Sequence, residues 1–345
     1  MNRHLFSSLL SSLSIAPLTT LIVVALVGCQ KQQLSAPDAE SQVASAPDAG
    51  DSLVDRLQRE VRVETPAQRI VSLSPATTEL LFAIELGEQV VGVTKNCNFP
   101  PQALDLPRVG GGTIESISSE AILALKPDLV LCKWDSHQPL IETLERLDVK
   151  VCAIGAQSLE ELYEESDWVG RLTDRKKQAQ ELISQMRARH GKLMEIVSKF
   201  EQEPKLRVFY EVWDEPLMTA APNSFIGELL TMAGLENVLS DTSVRYPRIS
   251  SETVVARDPQ VILAPTSHFE KVDVNAFQSR PGWSAVSAVA KQRIYLISGD
   301  EVSRCGPRVL NALAEIIVAA YPNAQELVSQ SINESEVTSE SGGTP

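Results

Sequence analysis

The sequence is poor in the residues on which several kinds of functional site depend. It holds 31 Lys and Arg against 45 Asp and Glu, a formal net charge of −14, and so lacks the basic balance of a nucleic-acid-binding protein. Beyond the N-terminal segment its only histidines are His137, His190 and His268, too scattered to predict a zinc or manganese site. No G-x-G-x-x-G, Walker or G-x-S-x-G pattern occurs, so neither a nucleotide-phosphate loop nor a hydrolase nucleophile elbow is expected.

The N-terminal apolar run is too short for a membrane span. Residues 18–27 are almost wholly apolar, but a transmembrane helix needs about 20 such residues. Arg3 and His4 precede the run, and Leu26-Val27-Gly28-Cys29 ends it, which is the pattern of a bacterial lipoprotein signal. We therefore predict a signal peptide over residues 1–28, lipid on Cys29 and a place in the periplasm or cell envelope. A transmembrane anchor is the alternative, and the sequence leaves open which membrane holds the lipid.

The segments at the two ends of the body have the composition of disordered chain. Residues 29–64 are small, polar and rich in proline, with SAPDA at 35–39 and again at 45–49. Such sequence buries too little apolar surface to fold, so a flexible tether is predicted. Residues 326–345 have a similar composition and are predicted to form a disordered tail.

The body between them alternates strand and helix patterns, which is typical of an α/β fold with parallel sheets. Strand-like runs occupy residues 69–73, 90–93, 129–131, 149–154, 206–212, 261–264 and 293–297. From Asp174 to Phe200 apolar residues recur at helical spacing, which predicts one helix of about 40 Å. The expected architecture is two Rossmann-like lobes, 65–172 and 205–325, joined by a long backbone helix within 173–204. A coiled-coil dimer arm is the alternative for that helix.

One segment occurs twice in the body. Residues 118–131 read SSEAILALKPDLVL and residues 250–263 read SSETVVARDPQVIL, an offset of 252 − 120 = 132 residues. Glu120 and Glu252 therefore take the same place in the two lobes, in the first turn of a helix. An acidic residue there complements the helix dipole, which by itself explains either one. As a matched, exposed pair they are predicted to dock on basic side chains of a two-fold partner.

Four cysteines follow Cys29 in the sequence, namely Cys97, Cys132, Cys152 and Cys305. Cys132 ends one predicted strand and Cys152 lies in the next, so a bridge is one possibility, although spacing does not fix the pairing. Small buried thiols are the alternative for at least two of the four. A second functional hypothesis makes Cys97 the nucleophile of an envelope enzyme, but no activating histidine is close to it in sequence.

Five stretches carry a family resemblance, covering residues 69–320: SLSPATTEL (72–80), VGVTKNCNFPPQA (91–103), ALKPDLVL (124–131), RYPRISSETVVARDP (245–259) and SGDEVSRCGPRVLNAL (298–313). In them the chain resembles the helical-backbone type of periplasmic substrate-binding protein that serves ABC importers, and most of all its cobalamin-binding members. The resemblance implies a ligand held between two lobes, no catalysis and no cofactor besides the transported ligand. It also implies an ABC permease dimer with its ATPase subunits as partner, with Glu120 and Glu252 as the docking carboxylates.

The resemblance also implies a set of ligand contacts: Ser74, Pro75, Asn96, Cys97, Tyr246, Asp300 and Arg304. Tyr246 and Asn96 fall where the cobalamin binders have a Trp and a Tyr, and residues 110–113 (GGGT) stand where they have a further Trp. Trp213 is a candidate replacement wall for the apolar face of a corrin ring, and a buried core position is the alternative.

The sequence does not decide which chemical class of ligand is bound. A ferric siderophore is the closest competitor, because Arg304, Tyr246 and Trp213 offer cationic and aromatic groups. Haem would need an axial ligand, for which Cys97 and His268 are the candidates. A structural lipoprotein without any small ligand is the remaining alternative.

Overall fold

The computed structural model describes residues 52–111, 113–200, 204–266 and 274–331. The predicted signal peptide, Cys29, His268 and the end of the predicted tail lie outside these residues. Within the described ranges, no helix has both the length and the apolar character to cross a bilayer.

The described chain begins with an antiparallel hairpin, β1 (Ser52–Val54) and β2 (Glu60–Arg62). The predicted tether over 29–64 is therefore wrong for its last part. The hairpin is ordered because Asp55, in its turn, is buried and accepts a hydrogen bond from the backbone N–H of Ala153 at 3.0 Å. Leu53 and Val61 add apolar side chains to the core of the first lobe.

The first lobe contains a four-stranded parallel sheet in the order β4-β3-β5-β6. Its strands are β3 (Ile70–Ser72), β4 (Val90–Val93), β5 (Leu129–Lys133) and β6 (Val151–Ile154). Its helices are α1 (Pro75–Ala83), α2 (Ser119–Ala124), α3 (Gln138–Glu145) and α4 (Leu159–Leu172). The strands are almost continuously apolar because core clusters cover both faces of the sheet.

One helix, α5 (Lys176–Phe200), leads from the first lobe to the second. Its 25 residues span about 37 Å. Its apolar face, including Ile183, Met186 and Leu193, is buried in this chain's own core, so a coiled-coil arm is not its role.

The second lobe repeats the strand order of the first, as β9-β7-β10-β11, all parallel. Its strands are β7 (Arg207–Asp214), β8 (Leu217–Thr219), β9 (Glu236–Asn237), β10 (Val261–Pro265) and β11 (Ile294–Ile297). Its helices are α6 (Phe225–Met232), α7 (Ser251–Arg257), α8 (Ala276–Ser279), α9 (Ser287–Ala290), α10 (Gly299–Ser303) and α11 (Val309–Ala320). Only β8 runs antiparallel to its neighbour β7 among the described strands of this sheet. The predicted α/β fold of two parallel-sheet lobes and a long linking helix is confirmed.

The duplicated segment takes the same place in both lobes. It forms α2 before β5 in the first lobe and α7 before β10 in the second. Ser118 and Ser250 are the N-caps, and their hydroxyls accept the backbone N–H of the residue three positions on.

The largest core cluster includes residues of both lobes. Leu159, Leu162 and Tyr163 of α4 belong to it together with residues of α5, the second sheet and α11. The chain continues into this cluster after α11: residues 325–331 are helical and Val328 is buried. The predicted tail over 326–345 is therefore wrong for residues 326–331.

All four described cysteines are free thiols. Cys132 and Cys152 do not form a bridge because Cys152 stands opposite Leu131, so the two side chains point to opposite faces of the sheet. Cys97, Cys132 and Cys152 are buried, as the alternative interpretation predicted. Burial raises the pKa of the Cys132 and Cys152 thiols.

Candidate functional site

A cavity of about 690 Å³ lies between the two lobes. In the first lobe its wall comes from residues after the carboxyl ends of β3, β5 and β6, the edge at which open α/β sheets hold ligands. These include Ser74, Asp135 and Gln157. The second lobe contributes apolar groups such as Phe225 and Ile226, and a polar strip described below.

Four of the predicted ligand contacts line this cavity: Ser74, Pro75, Tyr246 and Arg304. Ser74 is the N-cap of α1 and Pro75 is its first residue. Asn96 and Asp300 are not among the lining residues and bind Arg304 instead.

Tyr246 is carried by a strip of chain attached to the second sheet. The N–H of Ala221 donates to the carbonyl of Arg245 at 2.8 Å, and that of Thr219 to the carbonyl of Pro247 at 3.1 Å. Burial raises the pKa of Tyr246, although its hydrogen bonds with Ser224 and the backbone of Ile226 act in the other direction. The hydroxyl therefore lies near the start of α6, and 37% of the residue remains exposed.

Arg304 is held by groups of both lobes. Its Nη1 donates to Oδ1 of Asn98 at 2.7 Å and to Oε1 of Glu79 at 3.1 Å. Its Nη2 donates to Oδ1 of Asp300 at 2.6 Å and to the carbonyl of Asn96 at 3.3 Å.

Glu79 is also bound by Arg308, whose Nε and Nη2 donate to its two oxygens at 2.9 and 2.7 Å. Arg308 further donates to Glu301 at 3.0 Å and stacks on the ring of Phe99, 3.8 Å from its centroid. We call this group the interlobe clasp: Glu79, Asn98, Asp300, Glu301, Arg304 and Arg308. Sequence reasoning did not single out Glu79 or Arg308. The two arginines in SRCGPR (303–308) were the one local indication of carboxylate binding here.

Two predicted ligand contacts are placed elsewhere. Cys97 is fully buried in the core of the first lobe, with its sulfur 3.2 Å from Oγ1 of Thr94, so the predicted contact with ligand is wrong. Trp213 is 51% exposed and donates its indole N–H to the carbonyl of Glu215, but it does not line the cavity. It is therefore neither the replacement wall nor the core residue that the sequence suggested.

A polar chain of side chains crosses between the lobes at the cavity. Arg245 of the second lobe donates to the amide oxygen of Gln157 in the first. The amide nitrogen of Gln157 donates to Asp135 at 3.3 Å, and Asp135 pairs with Lys133 at 3.5 Å. All four residues line the cavity, and none was predicted as a site residue.

Glu165 is a buried carboxylate in the cavity wall that sequence reasoning also missed. It accepts the backbone N–H groups of Gly155 and Ala156 at 2.8 and 3.0 Å, and Nε of Arg56 at 3.1 Å. Burial raises its pKa despite these partners. These bonds hold the loop after β6 in place, so the residue shapes the wall of the cavity.

Glu120 and Glu252 are exposed on α2 and α7. The pKa of Glu120 is lowered by its own backbone N–H and by the hydroxyl of Ser118. The pKa of Glu252 is lowered by the hydroxyl of Ser250 and by its own backbone N–H. Both groups are therefore charged at neutral pH and available to a partner.

The glycine loop and His137, which the sequence analysis considered, have structural roles. Gly110 and Gly111 belong to a loop in which the N–H of Gly111 donates to the hydroxyl of Ser116. His137 is buried, and its Nδ1 accepts the backbone N–H of Lys133. Across the described part of the chain, no three His, Cys, Asp or Glu are grouped as metal ligands.

Comparison with known proteins identifies the fold family. The sequence model described as Periplasmic binding protein matches residues 70–301. The chain belongs to this family. It is 28% identical to an uncharacterized ABC transporter substrate-binding lipoprotein, YvrC of Bacillus subtilis, over 78% of this chain and 85% of that protein.

Two solved periplasmic binding proteins share the fold. The vitamin B12 binding protein BtuF of Vibrio cholerae is 27% identical with a TM-score of 0.64, over 74% of this chain and 97% of that one. The heme-binding protein RhuT from Roseiflexus sp. RS-1 is 25% identical with a TM-score of 0.66, over 75% and 99%.

Membership of this family establishes the general function of the chain. The chain is a substrate-binding protein of an ABC importer, and it is not catalytic. A permease is therefore its partner. The enzyme hypothesis based on Cys97 is wrong, and the burial of that thiol agrees with this.

Proposed function

We propose that the chain captures cobalamin or a related corrinoid in the cavity between its lobes and delivers it to an ABC permease. The observation that carries the proposal is the meeting of Ser74, Pro75, Tyr246 and Arg304 at one cavity. The family resemblance implies that these residues contact the ligand, and they come from distant parts of the sequence. The similarity to the vitamin B12 binding protein of Vibrio cholerae supports the same ligand.

The cavity has the character that such a ligand requires. Its volume of about 690 Å³ lies within the range of roughly 300–1,000 Å³ for small-molecule pockets, and it is partly open to solvent. Apolar side chains and the ring of Tyr246 offer contact to the faces of a large ring, while Arg304 and Gln157 offer polar groups.

Haem is the second candidate, and the similarity to a heme-binding protein favours it. Haem iron needs an axial ligand from the protein, and among the described lining residues Tyr246, Cys305 and Met218 are of the right type. Burial raises the pKa of Tyr246 and Cys305, which keeps these two groups protonated and disfavours their ligation, so haem would depend on the thioether of Met218. Cyanocobalamin brings both axial ligands of its cobalt with it, and therefore fits this cavity better.

The mature chain is further proposed to be anchored by lipid on Cys29, and its similarity to a lipoprotein of Bacillus subtilis supports this. Replacement Cys29→Ser should move the chain from the membrane fraction to the soluble fraction. Unchanged membrane association would contradict the anchor.

The identity of the ligand is tested by calorimetric titration of the full chain in detergent with cyanocobalamin, with hemin and with a ferric hydroxamate siderophore. We expect one-to-one binding of cyanocobalamin with a Kd from nanomolar to micromolar, about −12 to −8 kcal/mol. Binding of hemin or siderophore without cyanocobalamin would overturn the corrinoid assignment and leave the importer function in place.

A further inference from the structure

Two arginines line the cavity, and their surroundings differ. Arg304 is surrounded by two carboxylates, an amide oxygen and a backbone carbonyl. Its positive charge is balanced within the interlobe clasp, and most of its N–H groups are already used. Arg304 is therefore poorly placed to take a charged group of the ligand.

Arg245 has no such compensation. Its guanidinium donates to the neutral amide of Gln157, and no carboxylate of the described residues forms an ion pair with it. Its backbone is fixed by the hydrogen bond from Ala221, so the side chain starts from a defined position and extends across the cavity. A guanidinium fork offers paired N–H donors that match a phosphate or carboxylate.

The other charged groups of the cavity are paired. Lys133 lies 3.5 Å from Asp135. The carboxylate of Glu165 is buried and accepts three N–H groups, one of them from Arg56. The unbalanced charge on the cavity wall is therefore positive and belongs to Arg245. Its hydrogen-bond acceptor is the neutral amide of Gln157, at a position where an anion could bind.

We propose that Arg245 binds an oxyanion of the ligand, which replaces Gln157 as the acceptor. This rests on the proposed function, and it narrows the ligand to molecules with a free phosphodiester or carboxylate. In cobalamin that group is the phosphodiester of the nucleotide arm, and in haem it is a propionate. Gln157 keeps the hydrogen bond from its amide nitrogen to Asp135 when Arg245 leaves it, and its amide oxygen, which loses its donor, can bind water at this partly exposed position.

The test uses the full chain in detergent with the replacement Arg245→Gln. The matched control is Arg248→Gln, which removes the same charge from the same strip; Arg248 is exposed, as Arg245 is, but it does not line the cavity. Each protein is titrated with cyanocobalamin and with dicyanocobinamide, which lacks the phosphodiester. A second pair is hemin and its dimethyl ester, which lacks free carboxylates.

We expect Arg245→Gln to weaken binding of cyanocobalamin by about 10- to 100-fold, because a charge-assisted hydrogen bond is lost. Dicyanocobinamide should bind the variant and the wild type equally, and Arg248→Gln should change neither affinity. Added NaCl should weaken cyanocobalamin binding to the wild type more than to Arg245→Gln.

Equal losses for both corrinoids, or no loss at all, would overturn the role of Arg245 and leave the corrinoid function standing. If the wild type binds hemin and not cyanocobalamin, the proposed function fails. The comparison of hemin with its dimethyl ester then decides the role of Arg245 by the same criterion. If the wild type binds none of the four compounds, both proposals fail.

Discussion

The carboxylate of Glu79 in the first lobe is held between Nε and Nη2 of Arg308 in the second, at 2.9 and 2.7 Å. The two residues are separated by 229 positions in sequence. Glu79 is only 4% exposed, and its two oxygens accept hydrogen bonds from Arg308 and Arg304 in place of water. The pair therefore ties the lobes together beside the ligand cavity.

Replacement Glu79→Ala should lower the free energy of unfolding by about 3–5 kcal/mol, because it leaves two partly buried guanidinium groups without their carboxylate. Urea denaturation of the two proteins measures the difference. Glu60→Ala is the control, since the pair of Glu60 with Arg62 is exposed and should contribute little. Equal losses in the two variants would show that the clasp does not stabilise the fold.

The double replacement Glu120→Ala and Glu252→Ala should abolish uptake of cyanocobalamin while ligand affinity stays within about twofold. Both carboxylates are exposed, and neither residue lines the cavity. Uptake is measured in cells that lack the chromosomal copy and carry each variant, and affinity by calorimetry. Glu142→Ala, at an exposed position of α3, is the control and should transport normally. Lost ligand binding in the double variant would contradict a pure docking role.

Replacement Tyr246→Ala should weaken the binding of cyanocobalamin by about 10- to 100-fold, because one of the two aromatic rings among the described lining residues is lost, the other being that of Phe225. Tyr246→Phe keeps the ring and should bind nearly as the wild type does. The phenylalanine variant loses the hydroxyl contacts with Ser224 and Ile226, and so its Tm should fall slightly. If the alanine variant binds like the wild type, the ring is not part of the site.

Glu228 should make the stability of the chain depend on pH. One of its oxygens is buried without a hydrogen-bond partner in the described residues, and burial raises its pKa. A raised folded-state pKa means that the folded chain holds the proton more tightly than the unfolded chain. The wild type therefore loses stability as pH rises from about 4.3, the unfolded value, through the raised pKa.

Replacement Glu228→Gln removes this titration. Its Tm should exceed that of the wild type by roughly 1–3 °C at neutral pH, and the excess should shrink as the pH falls towards 4. Scanning calorimetry of both proteins between pH 4 and 8 measures this. A difference that stays constant with pH would show that Glu228 does not titrate as its burial implies.

Features set by neighbouring residues could be predicted from the sequence. Glu120 and Glu252 lie in the first turn of their helices, as the pattern Ser-Ser-Glu indicated, and the spacing from Asp174 to Phe200 indicated the long helix. Both signals are local, because a few adjacent residues mark the start of a helix and a helical face needs only its own period.

Features that depend on distant partners were missed. Glu79 lies in a short apolar helix, and nothing close to it in sequence indicates that Arg304 and Arg308 meet it. The hairpin at residues 52–62 lies within the segment predicted to be disordered, and it is held by the hydrogen bond from Ala153 to Asp55, 98 positions away. The exposure of Trp213 was undecided for the same reason, since burial depends on what packs against the side chain.

The core cluster that includes Leu159, Leu162 and Tyr163 has a consequence for the order in which the chain acquires its structure. Synthesis proceeds from the N-terminus, so the strands of the first sheet exist long before the last helix does. The apolar face of α4 is covered by residues that extend as far as α11 and Val328. Until those residues have emerged, α4 presents this face to water or to whatever holds the chain. The first lobe is therefore completed only when the end of the second has been made.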